Sequence, residues 1–139
     1  MDTSPSYMKM CEKASEIKVY WKPDFGDFYI SLAGGISSES QPITSELELG
    51  LPYMNQIKAV WLPRQDQLQE IISDQYTEPW DLAVEFANAL MGDDSDYFNR
   101  FLSMEQLWLA YVMNQKFNKR WNGRDWVLLL PLGMKGSSA

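Results

Sequence analysis

Residues 56–72 read QIKAVWLPRQDQLQEII, and the hydrophobic periodicity changes in the middle of this stretch. Residues 56–62 are rich in β-branched and aromatic side chains, which is typical of a buried strand. From Pro63 onward the period changes from two to about 3.6 residues, because the apolar side chains of residues 68–72 share one helix face. The stretch therefore predicts a strand that leads directly into an amphipathic helix.

The sequence on either side predicts further strands and helices. Three segments have the alternating or β-branched pattern of strands: residues 28–32, 43–49 and 126–130. Four segments have helical periodicity: residues 5–17, 77–91, 97–102 and 104–117. The helix at 77–91 carries Leu82, Val84, Phe86, Ala89 and Leu90 as its apolar residues. Because most helices follow the first three strands, we expect an α+β fold with a small, mostly antiparallel sheet of about four strands packed with about five helices.

Local signals mark the starts of two of these helices. Ser4 can cap the first helix, with Pro5 at its first position. Ser103 and Gln106 have the spacing of a capping box at the start of the helix at 104–117. Helical spacing also places Cys11 on the buried face of the first helix, where a structural thiol is expected.

The 139 residues fit one domain with its own core. Residues 1–4 and 134–139 are expected to be frayed ends, and residues 33–42 a mobile loop because they are rich in Gly and Ser. No run approaches the ~18 apolar residues of a membrane span, and residues 1–5 lack the pattern of a signal peptide. The expected location is the cytoplasm, without membrane attachment.

The residue types that are absent exclude several classes of chemistry. The chain has no histidine, so Ser-His-Asp and Cys-His nucleophiles and histidine-ligated metals are excluded. It has one cysteine, which rules out an internal disulfide and thiolate metal sites. The acids at 93–96 could suggest calcium, but an EF-hand counted from Asp94 lacks its glycine at Asn99, so helix capping by Ser95 or Asp96 is favoured. We assign no catalytic residue, metal ligand or cofactor.

Charge is distributed unevenly along the chain, whose formal net charge is −7. Residues 65–99 contain nine acids and no Lys or Arg, whereas residues 100–139 contain six basic residues and two acids. An acidic surface repels phosphates, so nucleic acid is an unlikely partner. The acidic region can be a solvated surface, can face the basic region, or can contact a partner protein through Asp74, Asp81 and Glu85.

Two other places could bind a small ligand or a nucleotide. Arg64 and Gln65 begin a helix whose free amides could hold an anion, although an ordinary strand–helix turn is the simpler interpretation. Trp121, Arg124 and Trp126 surround an Asn-Gly turn and could stack on a base. The alternative is that these tryptophans attach a hairpin to the core.

Several segments carry a resemblance to known proteins. They are YMKMCEKA at 7–14, WKP at 21–23 with Gly26-Asp27, WLPRQDQLQE at 61–70, SMEQLWLAYVM at 103–113 and WNGRDW at 121–126. In this order they resemble a family of small uncharacterised bacteriophage and prophage proteins. The resemblance implies a phage or prophage setting and no particular reaction. We therefore expect a non-catalytic module that binds a host or phage protein in the bacterial cytosol.

Overall fold

The computed structural model describes residues 1–31, 39–49 and 59–129 and shows an α+β fold, as predicted. Six α-helices lie in these ranges: α1 (Pro5–Lys13), α2 (Glu46–Leu49), α3 (Gln65–Ile72), α4 (Pro79–Met91), α5 (Ser95–Phe98) and α6 (Met104–Phe117). The strands are β1 (Phe28–Ser31), β2 (Gln41–Pro42), β3 (Ala59–Leu62), β4 (Lys119–Trp121) and β5 (Trp126–Leu128). Two 3-10 segments, Ser15–Tyr20 and Ser73–Gln75, follow α1 and α3.

The strands form two separate antiparallel sheets instead of one. In the first sheet the order is β2-β1-β3, and Tyr29 pairs with Gln41 on one side and with Trp61 on the other. The second sheet is the hairpin of β4 and β5. Its turn needs a positive φ of 98° at Gly123, which glycine adopts without steric cost. The antiparallel pairing was predicted, but the division into two sheets was not.

The junction of β3 and α3 matches the prediction from the period change. All four residues of β3 are buried, and Leu68, Ile71 and Ile72 form the buried face of α3. At the start of α3 a side chain of the same helix satisfies a backbone donor: the Arg64 backbone N–H donates to Oε1 of Gln67 at 2.8 Å. Residues 56–58 of the predicted strand lie outside the described residues.

The predicted strand at 43–49 is wrong, since Glu46–Leu49 forms the short helix α2. Ser45 and Glu48 explain the difference. The Ser45 hydroxyl accepts the Glu48 backbone N–H at 3.3 Å, and the Glu48 carboxylate accepts the Thr44 backbone N–H at 3.1 Å. The first bond is an N-cap bond, and the second satisfies the N–H one residue before the N-cap. Together they fix the first turn of α2 and outweigh the alternation of Leu and Glu.

The predicted mobile loop at 33–42 is corrected at its end. Gln41 and Pro42 pair with β1 as strand β2, while residues 33–38 lie outside the described residues. The predicted frayed tail at 134–139 also lies outside them. At the other end, Gly92 terminates α4 as predicted, and a Cβ at this position would lie only 2.8 Å from the Asn88 carbonyl oxygen.

Helix α6 lies at the centre of one continuous hydrophobic core. Seven of its residues are buried, and its Trp108 ring stacks on Phe86 of α4 with ring centroids 3.8 Å apart.

Helix α1 is joined to the β3–α3 junction because the Tyr7 hydroxyl donates to the Pro63 carbonyl at 2.7 Å. Cys11 is buried, as predicted. None of the helices in the described ranges has the length and apolar character to cross a membrane.

The first residues of the chain make hydrogen bonds to the start of α6, although the sequence suggested a frayed end. The Asp2 carboxylate accepts from the Ser103 hydroxyl at 2.5 Å and from Nε2 of Gln106 at 2.9 Å. The Ser103 hydroxyl accepts the Gln106 backbone N–H, as in the predicted capping box. The Gln106 side chain, however, accepts the Leu102 N–H and donates to Asp2.

The substitution Asp2→Asn is expected to lower the free energy of unfolding by about 1 kcal/mol at neutral pH. Burial alone would raise the pKa of the Asp2 carboxyl, but hydrogen bonds from Ser103, Ser4 and Gln106 lower it below its ordinary value. A carboxyl with a lowered pKa in the folded state stabilises the fold above its unfolded pKa of about 3.9 and loses this contribution as the pH falls through the folded pKa.

Denaturant titrations of the wild type and Asp2→Asn at about pH 7 and about pH 2.5 test this dependence of stability on pH. The difference between the two proteins should be largest at the higher pH and should shrink at the lower pH. A difference that is the same at both pH values would contradict a stabilising Asp2 carboxylate.

Candidate functional site

At the helix start, the side chains of Arg64 and Gln67 are engaged within the chain. The Arg64 guanidinium lies 2.9 Å from Oδ1 of Asp27 and 3.1 Å from Oδ1 of Asp66. Gln67 donates its side-chain amide to Asp27 at 2.8 Å, while Gln65 lies half-buried beside this cluster. Because these groups already satisfy each other, the structure favours the interpretation of an ordinary strand–helix turn.

Asp27 organises this cluster, and the sequence analysis missed it. Its side chain is 1% exposed, and its second oxygen accepts from the Trp21 indole N–H at 3.0 Å and from the Asp24 backbone N–H at 3.1 Å. Burial disfavours the Arg64 charge, but its hydrogen bonds to Asp27 and Asp66 outweigh burial and raise the pKa of Arg64. A single Gly-Asp in a turn carries no signal of such a role.

The tryptophans of the second candidate site are part of the core. Trp121 and Trp126 are each 8% exposed, with ring centroids 5.1 Å apart. The Trp126 indole donates to the Met10 carbonyl at 3.0 Å, which joins the hairpin to α1. Arg124 lies exposed in the turn. A base could stack on either indole only after that indole left the core, so this geometry favours the packing alternative.

Part of the acidic region faces the basic region, which was one of the alternatives from the sequence. Asp74 lies 3.7 Å from Nζ of Lys116, and Asp94 lies 2.7 Å from a guanidinium nitrogen of Arg120. Asp94 is also the N-cap residue of α5 and makes no side-chain capping bond, so the predicted capping by Ser95 or Asp96 is wrong. Two of the nine acids are therefore paired with cations of the C-terminal third.

Asp81 and Glu85 lie on α4 and have no ion-pair partner among the described residues. Glu85 is exposed and Asp81 is partly exposed. They are one turn apart on the same side of the helix, so their charges add along that side. Of the three acids chosen from the sequence, these two keep an unneutralised charge, whereas Asp74 is shared with Lys116.

The outer face of α4 is apolar, which the sequence analysis did not identify. Only Leu82 and Phe86 of this helix are buried. Trp80 is 63% exposed, Val84 51% and Met91 76%. Together with the partly exposed Ala87, these three residues are called the α4 stripe. Their spacing of four, three and four residues places all of them on one face of the helix.

The sequence contains the signal for this stripe, but in an ambiguous form. Helix α4 has two apolar sets with the same helical period, and a single sequence does not indicate which set faces the core. Val84 was grouped with the apolar residues Leu82 and Phe86, yet it points away from them. Trp108 of α6 decides the outcome, because it stacks on Phe86 and turns the stripe outward.

An open cleft of about 370 Å³ lies between the 3-10 segment Ser15–Tyr20 and α3. Trp61 is among its lining residues, and the indole nitrogen of Trp61 has no hydrogen-bond partner within the described part of the chain. That nitrogen is covered by protein atoms, so a ligand in the cleft would not reach it without a rearrangement.

Within the described ranges, no group of three or more Cys, Asp or Glu side chains is placed to hold a metal ion. The α4 stripe and its acids are therefore the best candidate site.

No protein-family model, curated protein or solved structure matches this chain.

Proposed function

We propose that this chain is a non-catalytic protein-binding module and that its contact surface is the outer face of α4. The observation that carries the proposal is the α4 stripe, on which a tryptophan, a valine and a methionine are each more than half exposed. Contiguous exposed apolar side chains of this size mark interaction sites, because their exposure to water is unfavourable unless a partner covers them. Tryptophan in particular is enriched among the residues that dominate binding energies.

The shape and charge of the surface favour a protein partner over the other classes. A helix face is convex, whereas small ligands bind in concave pockets that enclose them. Asp81 and Glu85 next to the stripe would repel the phosphates of a nucleic acid. The groups proposed for a small ligand or nucleotide, Arg64 and the two indoles at 121 and 126, are engaged in hydrogen bonds or packing within the chain.

The state of the one thiol in the sequence also fits a non-catalytic role. Cys11 is 4% exposed, and burial raises the pKa of its thiol well above the ordinary value, so the reactive thiolate is disfavoured. The resemblance to bacteriophage and prophage proteins gives the setting, in which the chain acts in the bacterial cytosol on a host or phage protein. No cofactor is part of this proposal.

The double substitution Asp81→Lys/Glu85→Lys is expected to weaken partner binding at least tenfold without unfolding the domain. A loss of about 1.4 kcal/mol of binding free energy raises the Kd tenfold. Reversing two charges beside an apolar contact is expected to cost more than this when the partner is basic, because attraction then becomes repulsion. The test is a pull-down from bacterial lysate with the immobilised chain, washed at low and then at high salt, with mass spectrometry of the retained proteins.

The matched control is Glu12→Lys/Glu46→Lys, which makes the same change in net charge at exposed positions away from α4. The wild type and this control should retain the same protein at low salt and lose it at high salt. If no protein is retained by the wild type, the proposed function is wrong. If the α4 double variant retains the partner as well as the control does, the contact surface lies elsewhere.

A further inference from the structure

The α4 stripe is a preformed, straight apolar ridge. It extends from Trp80 to Met91, and at a rise of 1.5 Å per residue this is about 16 Å, or three helical turns. On its opposite side α4 is fixed by Leu82 and Phe86, and Phe86 is held between the rings of Trp108 and Tyr111. A partner therefore meets a surface that does not have to fold on binding, which reduces the entropic cost of association.

The two flanks of the stripe differ in character. On one side Asp81 and Glu85 are turned by about a quarter to a third of a turn from the stripe. On the other side lie Ala83 and Leu90, which are apolar and at least partly exposed. No Lys or Arg occurs in residues 65–99, so α4 itself offers no cation to these carboxylates. The surface is thus amphipathic across its width, with one acidic edge.

Three basic side chains of residues 100–139 are engaged with other groups of the chain. Lys116 pairs with Asp74, Arg120 pairs with Asp94, and Arg100 lies over the Tyr97 ring at 5.1 Å. Among the described residues none of these cations reaches Asp81 or Glu85. The acidic edge is therefore left for a cation that comes from another molecule.

A second copy of this chain is a poor occupant of the stripe. If two α4 helices pair antiparallel about a two-fold axis, the acidic edge of one helix lies beside the acidic edge of the other, and the like charges repel. If they pair parallel, each acidic edge faces Ala83 and Leu90 of the other copy and loses hydration without a counter-charge. Both arrangements leave Asp81 and Glu85 without a cation.

We propose that the α4 stripe binds an amphipathic helix of a partner protein, about three turns long, whose apolar face is bordered by Lys or Arg on the side that meets Asp81 and Glu85. Apolar side chains of that helix cover Trp80, Val84 and Met91, and its cations pair with the two carboxylates. This is a general binding mode in which a helix lays its apolar face against a hydrophobic surface. Its anchoring residues recur at spacings of three and four residues. The inference rests on the proposed function and adds to it the class of partner.

Site-specific photo-crosslinking tests the inference on the full chain. Val84 is replaced by p-benzoylphenylalanine in bacterial cells, and the cross-linked peptide is identified by mass spectrometry. The control carries the same amino acid at Leu102, which is 89% exposed and lies outside α4. We expect position 84, and not position 102, to capture a segment with apolar residues at helical spacing and a net positive charge.

The captured segment is then synthesised as a peptide, and its affinity is measured by titration calorimetry. Trp80→Ala is expected to weaken binding about 30-fold, because a large contacting tryptophan commonly dominates the binding energy of an interface, whereas Val19→Ala, a truncation at an exposed apolar position away from α4, changes it less than about twofold. The affinity of the wild type should also fall as salt is added.

The outcomes separate this inference from the proposed function. If the wild-type chain retains a partner in the pull-down but position 84 captures none of it, the chain binds proteins and the inference about the stripe is wrong. The inference is equally overturned if position 84 captures a second copy of this chain or a segment that is acidic or lacks helical periodicity. If the pull-down retains no protein, both proposals fail.

Discussion

Replacing Asp27 by alanine is expected to lower the free energy of unfolding by about 3 kcal/mol. One carboxylate oxygen accepts from Arg64 and Gln67, and the other accepts from the Trp21 indole and the Asp24 backbone N–H. Removing the carboxylate leaves these donors without their acceptor at a position that is 1% exposed. The bond from the Trp21 indole is buried, and the cost of an unsatisfied buried donor exceeds the value of the bond that is lost. Three partly buried bonds are lost together with it, which gives a large total effect.

Two further substitutions serve as controls. One tests whether the stability depends on the carboxylate of Asp27 rather than on its shape, and the other tests whether any carboxylate beside Arg64 would have the same effect. Asp27→Asn keeps the shape but places an amide NH₂ against two donors, so it should recover little of the lost stability. Asp66→Ala removes the other carboxylate that contacts Arg64, and because Asp66 is exposed this should cost less than about 1 kcal/mol. Urea titrations monitored by circular dichroism give all three values. A loss below about 1 kcal/mol for Asp27→Ala would show that the cluster does not support the fold.

Replacing Trp108 by alanine is expected to cost about 4 kcal/mol, the range for a buried aromatic side chain cut back to a methyl group. Trp108 is 3% exposed, stacks on Phe86 and packs edge-on against Tyr111. Since Phe86 is one of only two buried residues of α4, the cavity opens under this helix. Hydrogen exchange should therefore show that the amides of α4 lose protection before those of α3.

The matched substitution Trp108→Phe should cost much less. The indole nitrogen of Trp108 is buried and has no hydrogen-bond partner among residues 1–31, 39–49 and 59–129, and phenylalanine removes this unsatisfied donor while keeping a ring against Phe86. The loss of apolar area is then offset by the removal of the polar atom, and we expect a net change below about 1.5 kcal/mol. Equal costs for the alanine and phenylalanine variants would contradict this account of the α4–α6 contact.

Much of the fold follows from local sequence signals. The change of period at Pro63 predicts β3 and α3, the proline after Ser4 predicts the start of α1, and Gly92 predicts the end of α4. Each of these signals acts within a few residues along the chain, which is the range over which periodicity and capping operate. The error at residues 43–49 arose where two local signals competed and the N-cap bond to the Ser45 hydroxyl prevailed.

The candidate site was less accessible to prediction because it depends on contacts between distant residues. The donors around Asp27 come from positions 21, 24, 64 and 67, and no spacing rule connects them. Helix α4 has two apolar faces with the same period, and only Trp108 decides which of them is covered. Asp81 and Glu85 were selected from the sequence for their charge, but their position beside exposed tryptophan became visible only in three dimensions.

The bond between the Trp126 indole and the Met10 carbonyl has a consequence for the order of events during synthesis. Its two residues are 116 positions apart, and Lys119 and Glu16 form an ion pair over a similar separation. At a synthesis rate of about 5–20 residues per second, α1 waits roughly 6–23 s for the hairpin that completes its packing. Until then the part of α1 that packs on the hairpin stays accessible to chaperones, so this helix is fully enclosed only after the much later hairpin has been made.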